Sequence, residues 1–203
     1  MNARIVDFWA FNHCEALADL KFSSKLERIN KGAFLSCTSL ERITIPLKGN
    51  MITHDRTFMV CNGLKHVDLV EGALHDTIAA LHLEDWRNDM NGEIGSINQI
   101  LPNARAGVVD RSSLFYDGSK DDPGEKAQAI RTWIRSVIGK IVRYQAEHQL
   151  LLNDVAATLK LVLPQEIVNN VLPFLDLPPH TFEGEDQIMG EDDDDSDDDS
   201  GLW

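Results

Sequence analysis

Cys14, Cys37 and Cys61 are the first residues whose type and spacing bear on chemistry. They lie 23 and 24 residues apart, whereas zinc-binding cysteines come in knuckles a few residues apart. An odd count also argues against a disulfide framework. A zinc site or a catalytic thiol is therefore the weaker alternative to burial, in which a thiol is a small apolar filler. His75, His82, Glu84 and Asp85 crowd one stretch but lack the H-E-x-x-H spacing that puts two ligands one helical turn apart. His13, His54, His66, His148 and His180 show no spacing to a Ser, Cys or Asp that suggests a catalytic pairing. Neither a G-x-x-x-x-G-K loop nor a G-x-G-x-x-G turn occurs. The expectation is a chain that is not an enzyme, with no catalytic residue, cofactor or metal.

What positions the cysteines is an internal repeat. Ala10-Phe11 to Leu17, Ala33-Phe34 to Leu40 and Thr57-Phe58 to Leu64 share the pattern small-Phe-x-x-Cys-x-x-Leu. Each block runs into a short alternating stretch, 17–22, 40–45 and 64–69, as a half-buried strand does. A period of 23 or 24 residues suits a solenoid with one strand and one return segment per coil. A single coil cannot bury its own apolar face, so equivalent residues must stack on one another. The predicted repeat core is Phe11, Cys14, Leu17, Phe34, Cys37, Leu40, Ile43, Ile45, Phe58, Cys61, Leu64, Val67 and Leu69.

These residues resemble the BspA-like leucine-rich repeats, whose pattern runs approximately I-x-x-x-A-F-x-x-C-x-x-L-x-x-I-x-I-P. The central repeat matches it with Ile29, Ala33, Phe34, Cys37, Leu40, Ile43, Ile45 and Pro46. The first lacks the Pro, and the third has Thr57 for Ala, Val67 and Leu69 for Ile, and no Pro. The resemblance covers about residues 8–70; it implies a curved solenoid for protein or surface recognition and brings no catalytic residues. The part from residue 71 onward also looks like the helical end of repeat proteins from single-celled algae, which carry no established activity to transfer.

After residue 71 the apolar period lengthens. Leu74, Ile78, Leu81 and Trp86 predict a helix over about 73–90, ended or kinked at Gly92. A second piece, Glu93 to Leu101, stops before Pro102. Together they are expected to cap the last repeat (71–102). Residues 103–122 read as a loop. Asp122-Pro123-Gly124-Glu125 then carries the cap, first-position Pro and capping-box Glu of a helix start. Apolar residues from Ile130 to Leu163 recur at steps of three or four until Pro164. The expectation for 123–177 is that long helix, its stripe buried in the chain or partly meeting a partner, and a short terminal one interrupted at Pro173. Arg131, Arg135, Lys140, Arg143 and Lys160 share its polar side with Glu147 and Asp154, which reads as a solvated face rather than a nucleic-acid or lipid surface.

The charge is uneven. Of the formal −14, eleven acidic residues with no Lys or Arg fall between Glu183 and Asp199, so the body is close to neutral. The run Asp192, Asp193, Asp194, Asp195, Asp197, Asp198 and Asp199 repels itself and buries nothing; residues 178–203 are expected to be a disordered acidic tail. Its plain role is solubilising the fold; its sharper one is contact with basic partners such as histones. Ser196, followed by three aspartates, suits an acidophilic kinase. No apolar run spans a bilayer and residues 1–20 lack a secretory signal, so the expected location is intracellular, cytoplasmic or nuclear, without membrane insertion.

The expected fold class is α+β: a short leucine-rich-repeat solenoid of about three coils (1–70), capped by C-terminal α-helices. The expected function is a protein–protein interaction or scaffold module with a protein partner and no direct nucleic-acid contact. The alternative is an acidic-tail chaperone or adaptor for basic proteins. A first repeat without an obvious N-terminal cap adds a third expectation, self-association through that open end.

Overall fold

A computed structural model describes residues 1–70, 78, 81, 83–107, 125–171 and 173. The chain is α+β, with short strands first and helices after them. β1 (Ile5–Val6), β2 (Asp19–Lys21), β3 (Arg28–Ile29), β4 (Arg42–Ile45) and β5 (His66–Leu69) are followed by α1 (Glu84–Ile100), α2 (Glu125–Val162) and α3 (Gln165–Val171). The strands are short because each repeat alternates apolar and polar residues over only a few positions before the chain must turn.

Among the described residues all pairing is parallel and runs between equivalent positions of successive repeats. β2, β4 and β5 form one sheet, aligning Asp19 with Arg42 and His66, Leu20 with Ile43 and Val67, and Lys21 with Thr44 and Asp68. A second ladder, on a side of the repeat where the sequence suggested only a return segment, pairs β1 with β3 and continues as a bridge from Ile29 to Ile52. The extra residue of the third repeat falls after that bridge, where a 3₁₀ turn, Asp55–Phe58, absorbs it.

Translation along the solenoid puts like on like. The Phe11, Phe34 and Phe58 rings stack nearly parallel, each pair 5.3 Å apart. Phe34, Cys37, Leu40, Ile43, Ile45, Phe58, Cys61, Leu64, Val67 and Leu69 are all buried. Phe11, Cys14 and Leu17 are only partly buried, because repeat residues stack on them from one side alone.

The cysteines do more than fill space. Cys37 Sγ donates to Phe11 O and Cys61 Sγ to Phe34 O, both at 2.9 Å, so each thiol ties its repeat to the one before. Its neighbour Cys37 and its own burial push the Cys61 thiol far above the ordinary range, which keeps it a protonated donor. The residue ahead of each cysteine is left-handed: His13 at φ 57°, Ser36 at 59° and Val60 at 61°. That turn directs its amide at the next repeat, His13 N to Leu35 O and Ser36 N to Met59 O.

In the helical half the sequence reading needs correction. Leu81 and Leu83 are not helical, so no single helix covers 73–90; Leu74 lies outside the described residues. α1 starts at Glu84 and continues through Gly92 to Ile100, so the helix does not end there. A glycine costs a helix about 1 kcal/mol, and Met90 and Ile97, both fully buried, hold this one against that cost. The end of the predicted cap and the first residue of the predicted loop form a 3₁₀ turn, Leu101–Asn103, and 108–122 lies outside the described residues. α2 spans 38 residues, roughly 57 Å at about 1.5 Å per residue. Its stripe divides: Ile130, Trp133, Ile134, Val137, Ile138 and Ile141 are buried, whereas Leu150, Leu151, Val155, Leu161 and Val162 are exposed.

Candidate interaction surface

The outward rows of the β2–β4–β5 sheet are the most regular polar array among the described residues. Because side chains alternate across a strand, burying Ile43, Ile45, Val67 and Leu69 obliges Asp19, Lys21, Arg42, Thr44, His66 and Asp68 to face away from the core. Arg42 Nη1 reaches diagonally to Asp68 Oδ2 at 2.5 Å. Both side chains are more than a third exposed, so the pair organises the surface and adds little stability.

Behind this face the last repeat is closed by groups far away in sequence. Val60 N donates to Ala106 O at 2.7 Å, so Ala106 occupies the place that the next repeat's carbonyl would take. Asn98 Oδ1 of α1 accepts from Val67 N at 3.0 Å. Lys126, in the first turn of α2 and almost wholly buried, donates from Nζ to Leu64 O at 2.6 Å and Leu101 O at 3.0 Å. Burial pulls the Lys126 ammonium below its ordinary pKa. Sequence reasoning missed all three, because nothing local marks Asn98, Ala106 or Lys126.

α1 and α2 are joined by a second polar cluster. Asp89 accepts from the Tyr144 hydroxyl and, at 2.9 Å, from Lys140 Nζ, which also reaches Glu93 at 3.0 Å. The Tyr144 and Lys140 hydrogen bonds hold the Asp89 carboxyl below the usual carboxylate range. Trp86 stacks on Tyr144 with ring centres 5.1 Å apart, and Trp133 Nε1 donates to Glu93 O at 3.0 Å. The basic face of α2 is thus largely neutralised by partners, Arg131 by Asp55, Lys140 by Asp89 and Glu93, and Arg143 by Glu147.

Among the described residues the predicted chemical candidates are not brought together. The cysteines line the core as free thiols, and no group of three or more His, Cys, Asp or Glu residues able to hold a metal occurs among the described residues. Glu84 and Asp85 sit in the first turn of α1. His75, His82, Ser196 and the aspartates Asp192 to Asp199 lie outside the described residues. No helix among the described residues is long and apolar enough to cross a membrane.

Residues 1–79 match the family model described as a BspA type leucine rich repeat region. This part of the chain is a BspA-type leucine-rich repeat. Such repeats generally mediate protein–protein interaction, and the family is typically non-enzymatic. The match stops short of α1 and α2, and it does not bear on the expected likeness of that helical half to algal repeat proteins. No curated protein and no solved structure matches the chain.

Proposed function

We propose that this chain is a non-catalytic recognition module, a three-coil BspA-type solenoid closed at one end by α1 and the start of α2, which binds a protein partner through the outer face of β2, β4 and β5. The observation that carries this reading is the registered array of Asp19, Arg42, His66, Lys21, Thr44 and Asp68 on strands whose inner side chains are buried. A fixed backbone presents these groups without an ordering cost at binding. The test is affinity purification with the full chain and with full-length Lys21→Glu/Arg42→Glu. Loss of one reproducible partner in the double variant, with unchanged thermal unfolding, supports the face; retention of every partner removes it.

The carboxylate run supports a second reading, an adaptor or chaperone for basic proteins such as histones in the cytoplasm or nucleus. Binding of purified histone dimer that collapses between low and physiological salt, and on removal of residues 183–203, favours it. The exposed Phe8 and Trp9 of the first repeat support self-association there, which sedimentation over a concentration series reads directly.

A further inference from the structure

Arg135 and Lys160 of α2 stand outside the neutralising network among the described residues. Arg135 is exposed and has no ion pair among the described residues. It stands one helical turn beyond Arg131, so the two guanidinium groups share a side of α2. Together with Gln128 and Thr132 they form one wall of a cleft of about 570 Å³, whose opposite wall includes Asn50 and Thr53 of the third repeat. Every charged lining group is cationic, the polar neutral ones, Asn50, Thr53, Gln128 and Thr132, can donate hydrogen bonds, and Gly49 and Ile52 complete the lining. Asp55 binds Arg131 but does not line the cleft. One carboxylate leaves much of a guanidinium's five-donor fork available.

We infer that this cleft is an oxyanion site that takes the carboxylates of an acidic peptide strand, with Arg135 as principal ligand and Arg131, Asn50, Thr53, Gln128 and Thr132 as supporting donors. Two neighbouring cations on one turn match the spacing of successive side chains in an extended acidic strand, and paired arginine–carboxylate bonds are charge-assisted. The surroundings agree. Burial, then the charge of Lys31, depress the protonation of nearby His54, with Arg56 and Arg131 adding to Lys31 and Asp55 opposing. In a chain of formal charge −14 this is a local patch of the opposite sign. Carboxylates of this kind have two sources, the chain's own run from Glu191 to Asp199 and an acidic segment of another protein.

The experiment is amide and arginine side-chain NMR on the full chain, compared with a full-length variant in which Asp192, Asp193, Asp194, Asp195, Asp197, Asp198 and Asp199 are each changed to Asn. Both are titrated with an octa-aspartate peptide at low and at physiological salt. Shifts confined to Asn50, Thr53, Gln128, Thr132 and Arg135 between the two chains identify the internal source. The same shifts appearing only on adding peptide identify an external one. In either case Arg135→Glu weakens the response about tenfold or more while thermal unfolding stays unchanged. No shift at the cleft in either arm overturns the proposal, as does a shift that Arg135→Glu leaves intact.

Discussion

The ring stack of the repeats and the far end of α2 use similar apolar residues and reach opposite states. Phe34 is fully buried between two copies of itself, whereas Leu161 is 87% and Val162 76% exposed. A solenoid supplies each apolar residue with its own equivalent a fixed step away, so burial follows from repetition. A helix stripe has no such guarantee. The first turns of α2 find the 3₁₀ turns Asp55–Phe58 and Leu101–Asn103 and α1 to pack against, and the later turns extend past them. Periodicity alone therefore shows that a residue is able to be buried; a neighbouring element decides whether it is.

The strongest way to sharpen this contrast is to remove one ring. Phe34→Ala deletes both 5.3 Å stacks at once and should cost about 3–5 kcal/mol in urea unfolding. Leu161→Ala should stay within about 0.5 kcal/mol; a loss of more than about 2 kcal/mol there would mean that the end of α2 is packed in solution.

Lys126→Met comes next. It removes the Nζ donor from Leu64 O and from Leu101 O, which keeps the Ala104 amide, and should cost about 1–3 kcal/mol. Because burial lowers the folded pKa of Lys126 below 10.5, the unfolded chain binds the extra proton between those two values. The wild type should therefore gain stability as pH rises through that window, and the variant should lack this gain. Denaturant midpoints across the alkaline range test the sign.

Cys61→Ala should cost roughly 1–2 kcal/mol by leaving a small void and removing one of the two donors to Phe34 O, which keeps the Cys37 amide. Cys61→Ser, which keeps a donor, separates the hydrogen bond from the volume. Asn98→Ala frees Val67 N and should cost about 1 kcal/mol, with faster amide exchange at Val67 as its signature.

The smallest effect concerns acid. The folded pKa of Asp89 is depressed, so its contribution is present above the ordinary 3.8 and is lost as pH falls through the folded value. Asp89→Asn should flatten the acid limb of the stability profile. An unchanged limb would show that the α1–α2 cluster is not what responds.

The repeat period, the strand positions and the inward Phe, Cys and Leu were legible in the amino-acid sequence because they recur every 23 or 24 residues. Recurrence in the chain becomes adjacency in space once the chain coils. The polar face of the sheet follows from the same alternation. The second parallel ladder was not legible, since two residues per strand make too short a pattern to read. Nor was the uninterrupted α1, where Met90 and Ile97 outweigh Gly92. The closure of the last repeat by Asn98, Ala106 and Lys126 joins positions tens of residues apart through single hydrogen bonds. The cleft at Arg135 likewise exists because the third repeat and α2 meet there. Repetition is a local property of a sequence and was determined by it; closure and clefts depend on which distant groups come to face each other, and only the tertiary structure decided that.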